Sequence, residues 1–341
     1  MDIETAMFPQ VRLDQMTEAA HHFDIANPPS NLLWRLDSAN LDGVEGAFVA
    51  RQLEYMRPGL FEVQYPGLKG QMLVPTNTTV SAGAEQITIT IVDQVGEVKP
   101  VHASGSDIPS VEVKTFQKSM NFYTFALSYA YTQQEARAAI FSRMPLLPRK
   151  AMATRDQMAR KMDDITFTGD TITGLKGLIN QTGTDTYTVP TTGAGASATW
   201  ESKDSDAILL DLNQAPAQIV TNTKEVWVPD TMLLPLSSYQ FIAGKRVGDG
   251  TSETILSYFM RTTAHIRQVE SSYKVETAGG SSTKRMTVYK KDPTVLEHYI
   301  SMMFEQLPPQ AVALEVRTIC QMRTAGVAVY EPKAMLYADG I

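Results

Sequence analysis

The stretch from Tyr131 to Asn180 constrains the fold more than any other part of this sequence. Thr132 followed by Glu135 makes a capping box, in which each side chain satisfies a backbone N–H near the other, so a helix is predicted from Gln133. Pro145 and Pro148 then interrupt it, because proline removes a donor and clashes with the preceding turn. Pro148 fits the first turn of a second helix, where a missing N–H costs nothing. That helix is predicted over 148–168 and stops at Gly169-Asp170. At 1.5 Å per residue it spans roughly 30 Å. With about 100° between residues, Ala151, Met158, Met162 and Ile165 share one face. Arg149, Ala153, Asp156, Arg160 and Asp164 fall on the opposite one. An amphipathic rod of this length has to lie across a sheet or a partner.

Before it, the chain changes character twice. Residues 1–60 read as an arm, with too few clustered apolar residues for a core of their own. Up to Tyr65 there are ten acids against four bases, which accounts for nearly all of the net charge of −7. His21 and His22 sit in this acidic stretch without a cysteine or third histidine nearby, so they read as a solvated or interfacial pair rather than a metal site. Residues 61–131 turn to strand grammar. Ile87, Ile89 and Ile91 alternate with Thr88 and Thr90, and Tyr123, Phe125, Leu127, Tyr129 and Tyr131 alternate likewise. Between them Gln94–Ser110 carries glycines, prolines, Lys99 and Asp107. It reads as a long exposed excursion, and with its flanks (about 80–115) it forms a projecting hairpin that needs something to lie on.

After the long helix, Thr182–Thr199 is a Thr/Gly/Ala/Ser-rich surface loop. A helix is predicted over 203–222, short buried strands at Val226–Pro229 and Met232–Pro235, helices at Ser238–Gly244 and Glu253–Arg261, and a strand through Thr287–Tyr289. This mixed block, 183–310, reads as α+β. The tail, 311–341, reads as two strands joined at Thr324-Ala325-Gly326.

No stretch carries a catalytic template. There is no G-x-S-x-G elbow, Walker loop or H-E-x-x-H. His102, Ser104 and Asp107 lie together only on the hairpin tip, where nothing excludes water. Asp163 and Asp164 are neighbours on a helix and do not face each other. Gly193–Ala198 fits a loose dinucleotide pattern but follows no apolar strand. No cofactor, metal or catalytic residue is predicted. The lone Cys320 excludes a disulfide framework and fits a reducing compartment. Met1-Asp2-Ile3-Glu4 is acidic where a secretion signal would be basic, and no apolar run is long enough for a membrane span. Charged residues, at 20%, are scarce for a solvated protein, which suggests that neighbours cover much of the surface.

Several segments together resemble one family. The helix ending in FTGD, followed by GLKGLIN with Gly174, Gly177 and Asn180, resembles the spine helix and following segment of major capsid proteins of tailed bacteriophages. The same order occurs more loosely in encapsulin shells. GAFVARQLEYMRPGLFEVQYPGLKGQMLVPT resembles the segment between arm and loop, and the tail resembles the family's last segment, including the Tyr330-x-Pro332 step. The resemblance runs in order from Gly46 to Ile341 and implies an α+β, Hong Kong 97-like fold. It implies an N-terminal arm (1–60), an extended loop whose tip holds Lys99 and Asp107, and a peripheral domain (132–182). An axial domain (183–310) and C-terminal strands (311–341) returning to the peripheral domain would complete it.

The function implied is that of a structural subunit of an icosahedral head enclosing double-stranded DNA without sequence-specific binding. The alternative is an encapsulin-like shell around an enzyme cargo. The partners implied are copies of itself in hexamers and pentamers, a portal, and separate scaffolding or decoration proteins. Assembly is expected in the bacterial host cytoplasm. No long charged extension precedes the arm, so scaffolding is expected as a separate chain. The fold's founding member joins a loop lysine to an asparagine upstream of the Tyr-x-Pro step. Ala311–Ala325 contains no asparagine, so no such link through Lys99 is expected.

Overall fold

The computed structural model describes residues 64–100, 108–142, 146–248 and 250–341. The expected arm with His21 and His22, the tip residues His102, Ser104 and Asp107, and Pro145 lie outside them. The fold below is that of Pro66–Ile341, which separates as a unit from what precedes it.

The chain first gives α1 (Gly70–Leu73), β1 (Thr76–Asn77), β2 (Gln86–Val95), β3 (Glu112–Asn121) and β4 (Tyr123–Thr132). Two helices follow, α2 (Gln133–Phe141) and the spine α3 (Leu146–Thr168). Next come β5 (Asp185–Thr188), α4 (Ser205–Asn222), β6 (Thr231–Pro235), α5 (Leu236–Gly244) and α6 (Ile255–Thr262). The remaining strands are β7 (Gln268–Ser272), β8 (Arg285–Tyr289), β9 (Leu296–Gln306), β10 (Gln310–Val312), β11 (Glu315–Val329) and β12 (Met335–Asp339).

β11 organises the first sheet. It pairs antiparallel with β4 along one edge and with β9 and β10 along the other, and β1 adds to β9 in parallel. α3 lies on one face of this sheet. Met158, Met162 and Ile165 pack on Ile300, Cys320 and Met322, with Tyr123, Phe125 and Tyr129 around them. The second sheet runs β5-β12-β8-β6-β7. All five residues of β6 are buried, as a strand covered on both faces requires. One face carries α4, α5 and α6 through Ile208, Leu212, Ile242 and Phe259. The other meets the end of the spine at Phe167, Leu178 and Tyr289.

The α+β class and the helix bounds agree with expectation: the Thr132/Glu135 capping box opens α2 at Gln133, and α3 ends at Thr168. Three expectations are corrected. Thr324-Ala325-Gly326 is no turn, because β11 runs through it as one strand of 15 residues. Its pairing with β9 shifts register there, and Gly326 sits at φ 76° with Lys176 O 3.1 Å from where a Cβ would be. A bulge, not a reversal, is what the glycine serves. Val226–Pro229 is no buried strand: Val226 is 69% exposed, and Lys224 and Glu225 before it hold positive φ as α4 ends. Finally, the sheets divide the tail. β9 belongs to the first sheet rather than to the block 183–310, and β12 pairs with β8 and β5 in the second sheet instead of returning to the first.

Candidate assembly site

The spine is anchored along its length. Ala151 is half-buried, whereas Arg149, Ala153, Asp156 and Asp164 on the opposite side are exposed and Arg160 is half-buried. Toward its end the helix carries polar groups inward. Asp163 accepts from Gly70 N at 2.6 Å and pairs with Lys274, which also reaches Asp164 at 2.8 Å. Burial works against the Lys274 charge, but the bonds to both aspartates outweigh it and raise its pKa. The two neighbouring carboxylates, which do not face each other, are thus joined by a cation from 111 residues away. His298 on β9 lies buried between Thr166 Oγ1 (3.0 Å from Nδ1) and Thr324 Oγ1 (2.9 Å from Nε2). Burial lowers its pKa to about 4, so it is neutral at pH 7.

Gly177 and Asn180 form a clasp on the spine's C-terminus, while Gly174, at φ 74°, lies in the turn between the bridged Asp170 and Leu175. A helix leaves its last carbonyls without partners. Here Leu178 N donates to Thr166 O at 2.8 Å, Ile179 N to Phe167 O at 3.0 Å and Asn180 Nδ2 to Thr168 O at 2.6 Å. Asn180 Oδ1 accepts in turn from Gly177 N at 2.7 Å. A Cβ on Gly177 would sit 2.2 Å from Phe167 O, so only glycine lets the strand approach the helix end. Gln181 Nε2 then donates to Val327 O, fixing the clasp to β11. In the tail, Tyr330 OH bonds Tyr299 OH at 2.6 Å and Glu297 at 2.8 Å, and Pro332 opens a 3-10 turn into β12.

The β2–β3 hairpin has no such anchoring. Only its base is packed: Ile87, Ile89 and Met120 lie on Phe122, Tyr299 and Tyr330. Farther out Val92, Val95, Val98, Val111, Val113 and Phe116 are all exposed, Val98 to 98%. Lys99 is exposed among them, and Asp107 lies outside the described residues. Ile140, Phe141 and Met152 add exposed apolar surface on α2 and α3.

A further buried cluster escaped the sequence reading. Lys203 pairs with Asp211 at 2.6 Å, both side chains nearly inaccessible, and Trp200 Nε1 donates to the same carboxylate. It holds the loop before α4 against that helix, and a lysine–aspartate spacing of eight residues carries no pattern that would have flagged it. Among the described residues no three His, Cys, Asp or Glu side chains converge as a metal would need, and no helix is long and apolar enough to cross a membrane. The geometry is one of surfaces rather than of reacting groups.

Comparison with known proteins agrees with that geometry. The sequence profile of the major capsid protein family matches residues 96–341. The capsid of Myoviridae phage XM1 superposes with a TM-score of 0.76 at 18% identity, covering 87% of this chain and 99% of that one. The capsid of cyanophage P-SCSP1u gives 0.56 at 12% identity over 84% and 92% of the two chains. Mycobacterium phage Bobi gives 0.57 at 13% over 84% and 96%. No curated protein matches the chain in sequence.

Proposed function

Because the chain belongs to the major capsid protein family, with the Hong Kong 97-like fold of a non-enzymatic shell subunit, we propose that its copies build the icosahedral head of a tailed phage around double-stranded DNA. The family match favours this reading over the encapsulin-like alternative. One observation carries it: the β2–β3 hairpin leaves the body with its apolar side chains uncovered. A two-stranded ribbon is marginal by itself, and exposed apolar surface of this extent needs a partner. A neighbouring copy supplies that cover at every position of a shell.

In this reading the first sheet with α3 is the peripheral region and the second sheet with α4–α6 is the axial region, whose edge meets hexamer and pentamer centres. The clasp at Gly177 and Asn180, with Gln181 bonded to β11 and Leu178 O to Tyr337 on β12, ties the spine's end to both sheets. Residues 1–60 serve as an arm on a neighbour. Several separate contacts per copy give avidity that no single patch could, while each remains weak enough to correct during assembly. A portal fills one vertex, scaffolding and decoration come from other chains, and the DNA is enclosed without base recognition, in keeping with a net charge of −7. Assembly takes place in the bacterial cytoplasm.

Expression of the full chain followed by size-exclusion chromatography and electron microscopy tests this. The expected result is closed icosahedral particles eluting at megadaltons. A species of one to a few subunits, at all concentrations, would overturn the reading.

A further inference from the structure

The buried ring of His298 joins the spine to the first sheet. It meets Thr166 Oγ1 on α3 through Nδ1 and Thr324 Oγ1 on β11 through Nε2. Each hydroxyl has a single proton to give. Thr166 gives its proton to Met162 O at 2.8 Å, and Thr324 gives its own to Tyr299 O at 2.7 Å. Carbonyls only accept, so with both protons placed there the ring faces two acceptors. That arrangement is complete for an imidazolium, which carries an N–H on each nitrogen. A neutral ring has one N–H, and one hydroxyl must then turn its proton toward the other nitrogen.

The two hydroxyls are not equally free to turn. Thr324 sits at the bulge, where Gly326 N and Val327 N are bonded outside the β9 ladder, to Thr324 Oγ1 and Lys176 O. Its proton supplies Tyr299 O where that ladder is broken. Thr166 lies inside a helix, where Met162 O already takes the backbone N–H four residues on. The bond from the Thr166 side chain to that carbonyl is a second one, and giving it up leaves no group bare. The ionisable side chains on the surrounding elements are engaged elsewhere. Asp163 on α3 bonds Gly70 N and Lys274, Glu297 on β9 bonds Asn77 and Tyr330, and Arg323 on β11 bonds Ala82 O. Lys176, after the spine, is exposed. Burial acts on the ring against its charge.

We propose that His298 and Thr166 form a proton-adaptable latch between the spine and the first sheet, with the Thr166 hydroxyl as its moving part. Near neutral pH the ring carries its proton on Nε2 and donates to Thr324, while Thr166 donates to Nδ1. When the ring takes a second proton from solvent, the Thr166 hydroxyl rotates to Met162 O and Nδ1–H donates to it. Both bonds to the ring persist in either state, so acid charges the junction without opening it. The latch belongs to the subunit itself and does not depend on the shell reading.

Nitrogen-15 NMR of the histidine-labelled full chain, sedimented and spun at the magic angle, tests it. The His298 signals are those lost in His298→Asn. Expected at pH 7 is a protonated Nε2 with an unprotonated, hydrogen-bonded Nδ1, and the opposite tautomer would overturn the proposal. Thr324→Val removes the acceptor at Nε2, so the proton should move to Nδ1 and face Thr166. A proton that stays on Nε2 in that variant would overturn it too. Thr166→Val removes the acceptor the charged ring needs, and a hydrogen bond from a charged donor is the stronger kind. The tautomer should then stay as in the wild type while half-protonation falls by about one pH unit. An unchanged half-point, or wild-type chain that unfolds as the ring protonates, would refute the latch. Should Thr324→Val fail to fold, the wild-type tautomer and the Thr166→Val titration decide.

Discussion

The β2–β3 hairpin and the second sheet are built from the same kind of strand and hold their shape for opposite reasons. β6 buries all five of its residues, between helices on one side and the spine's end on the other. β3, twice as long, is exposed at nine of its ten positions. At ~25 cal/mol per Å² of apolar area, the first has internal stabilisation that the second lacks. What the sheet draws from its own core, the hairpin, in the shell reading, draws from another chain. Damage to the two regions should therefore be visible in different assays: unfolding for one, assembly for the other.

The largest effect is expected in the spine's buried face. Met162→Asp places a carboxylate against Cys320 and Met322 and should destabilise the subunit by about 5 kcal/mol. Insoluble protein is the expected outcome, whereas Asp156→Ala on the exposed side should stay within about 0.5 kcal/mol by chemical denaturation. Soluble, assembling Met162→Asp protein would break the contrast at its strongest point.

Next comes Asp211→Ala. It leaves Lys203 buried without its counter-charge and Trp200 Nε1 without an acceptor, at a cost of about 3–5 kcal/mol. The expected signature is a lowered denaturation midpoint in the isolated subunit. Unchanged stability with failed assembly would mean the cluster serves an interface.

Acid offers a third probe of the body. His298 is held neutral with a pKa near 4, below its ordinary value of about 6.5. Between those values the unfolded chain takes up a proton that the folded one refuses. Stability is intact above pH 6.5 and falls as the pH drops toward 4, by on the order of 3 kcal/mol. Denaturation curves at pH 7 and 4.5 should show the loss, and His298→Asn should show a smaller one. Equal slopes would remove His298 from the account.

The hairpin should answer in the reverse manner. Replacing Gln94–Ser110 by a short Gly-Ser turn should change subunit stability by no more than about 0.5 kcal/mol while closed shells fail to form. Normal shells would reduce the hairpin to decoration. The smallest effect concerns covalent linkage, where none is expected. Lys99 is exposed, and Ala311–Ala325 on β10 and β11 offers no amide side chain except Gln321, whose Nε2 is bonded to Glu305. Particles boiled in detergent and reductant should run as one band near 37.6 kDa, and a ladder of linked subunits would refute this.

Which parts were legible in the sequence follows the same division. Helix α3 and strands β2 and β4 declare themselves because their periodicity and caps are local. The errors came where distant pairing decides. Thr324-Ala325-Gly326 has turn composition, yet β4 and β9 grip both edges of β11 and make it a bulged strand. Val226-Trp227-Val228 has strand composition, but the positive φ at Lys224 and Glu225 turns it away from the core. Of the residues singled out on the spine, Met158, Met162 and Ile165 follow from spacing alone. Asp163–Lys274 and Thr166–His298 are joined across 111 and 132 residues, and no local pattern announces either.

The placement of β11 and β12 also sets an order of events. β11 is the strand that β4 and β9 both need, and β12 fills the gap between β5 and β8. Neither sheet can close until residues 315–339 have left the ribosome, however early the hairpin and spine emerge. Contacts of such long sequence separation form slowly. In the proposed shell a half-made chain would thus have no anchored hairpin base to offer a neighbour. In that reading synthesis itself would keep incomplete subunits out of the lattice.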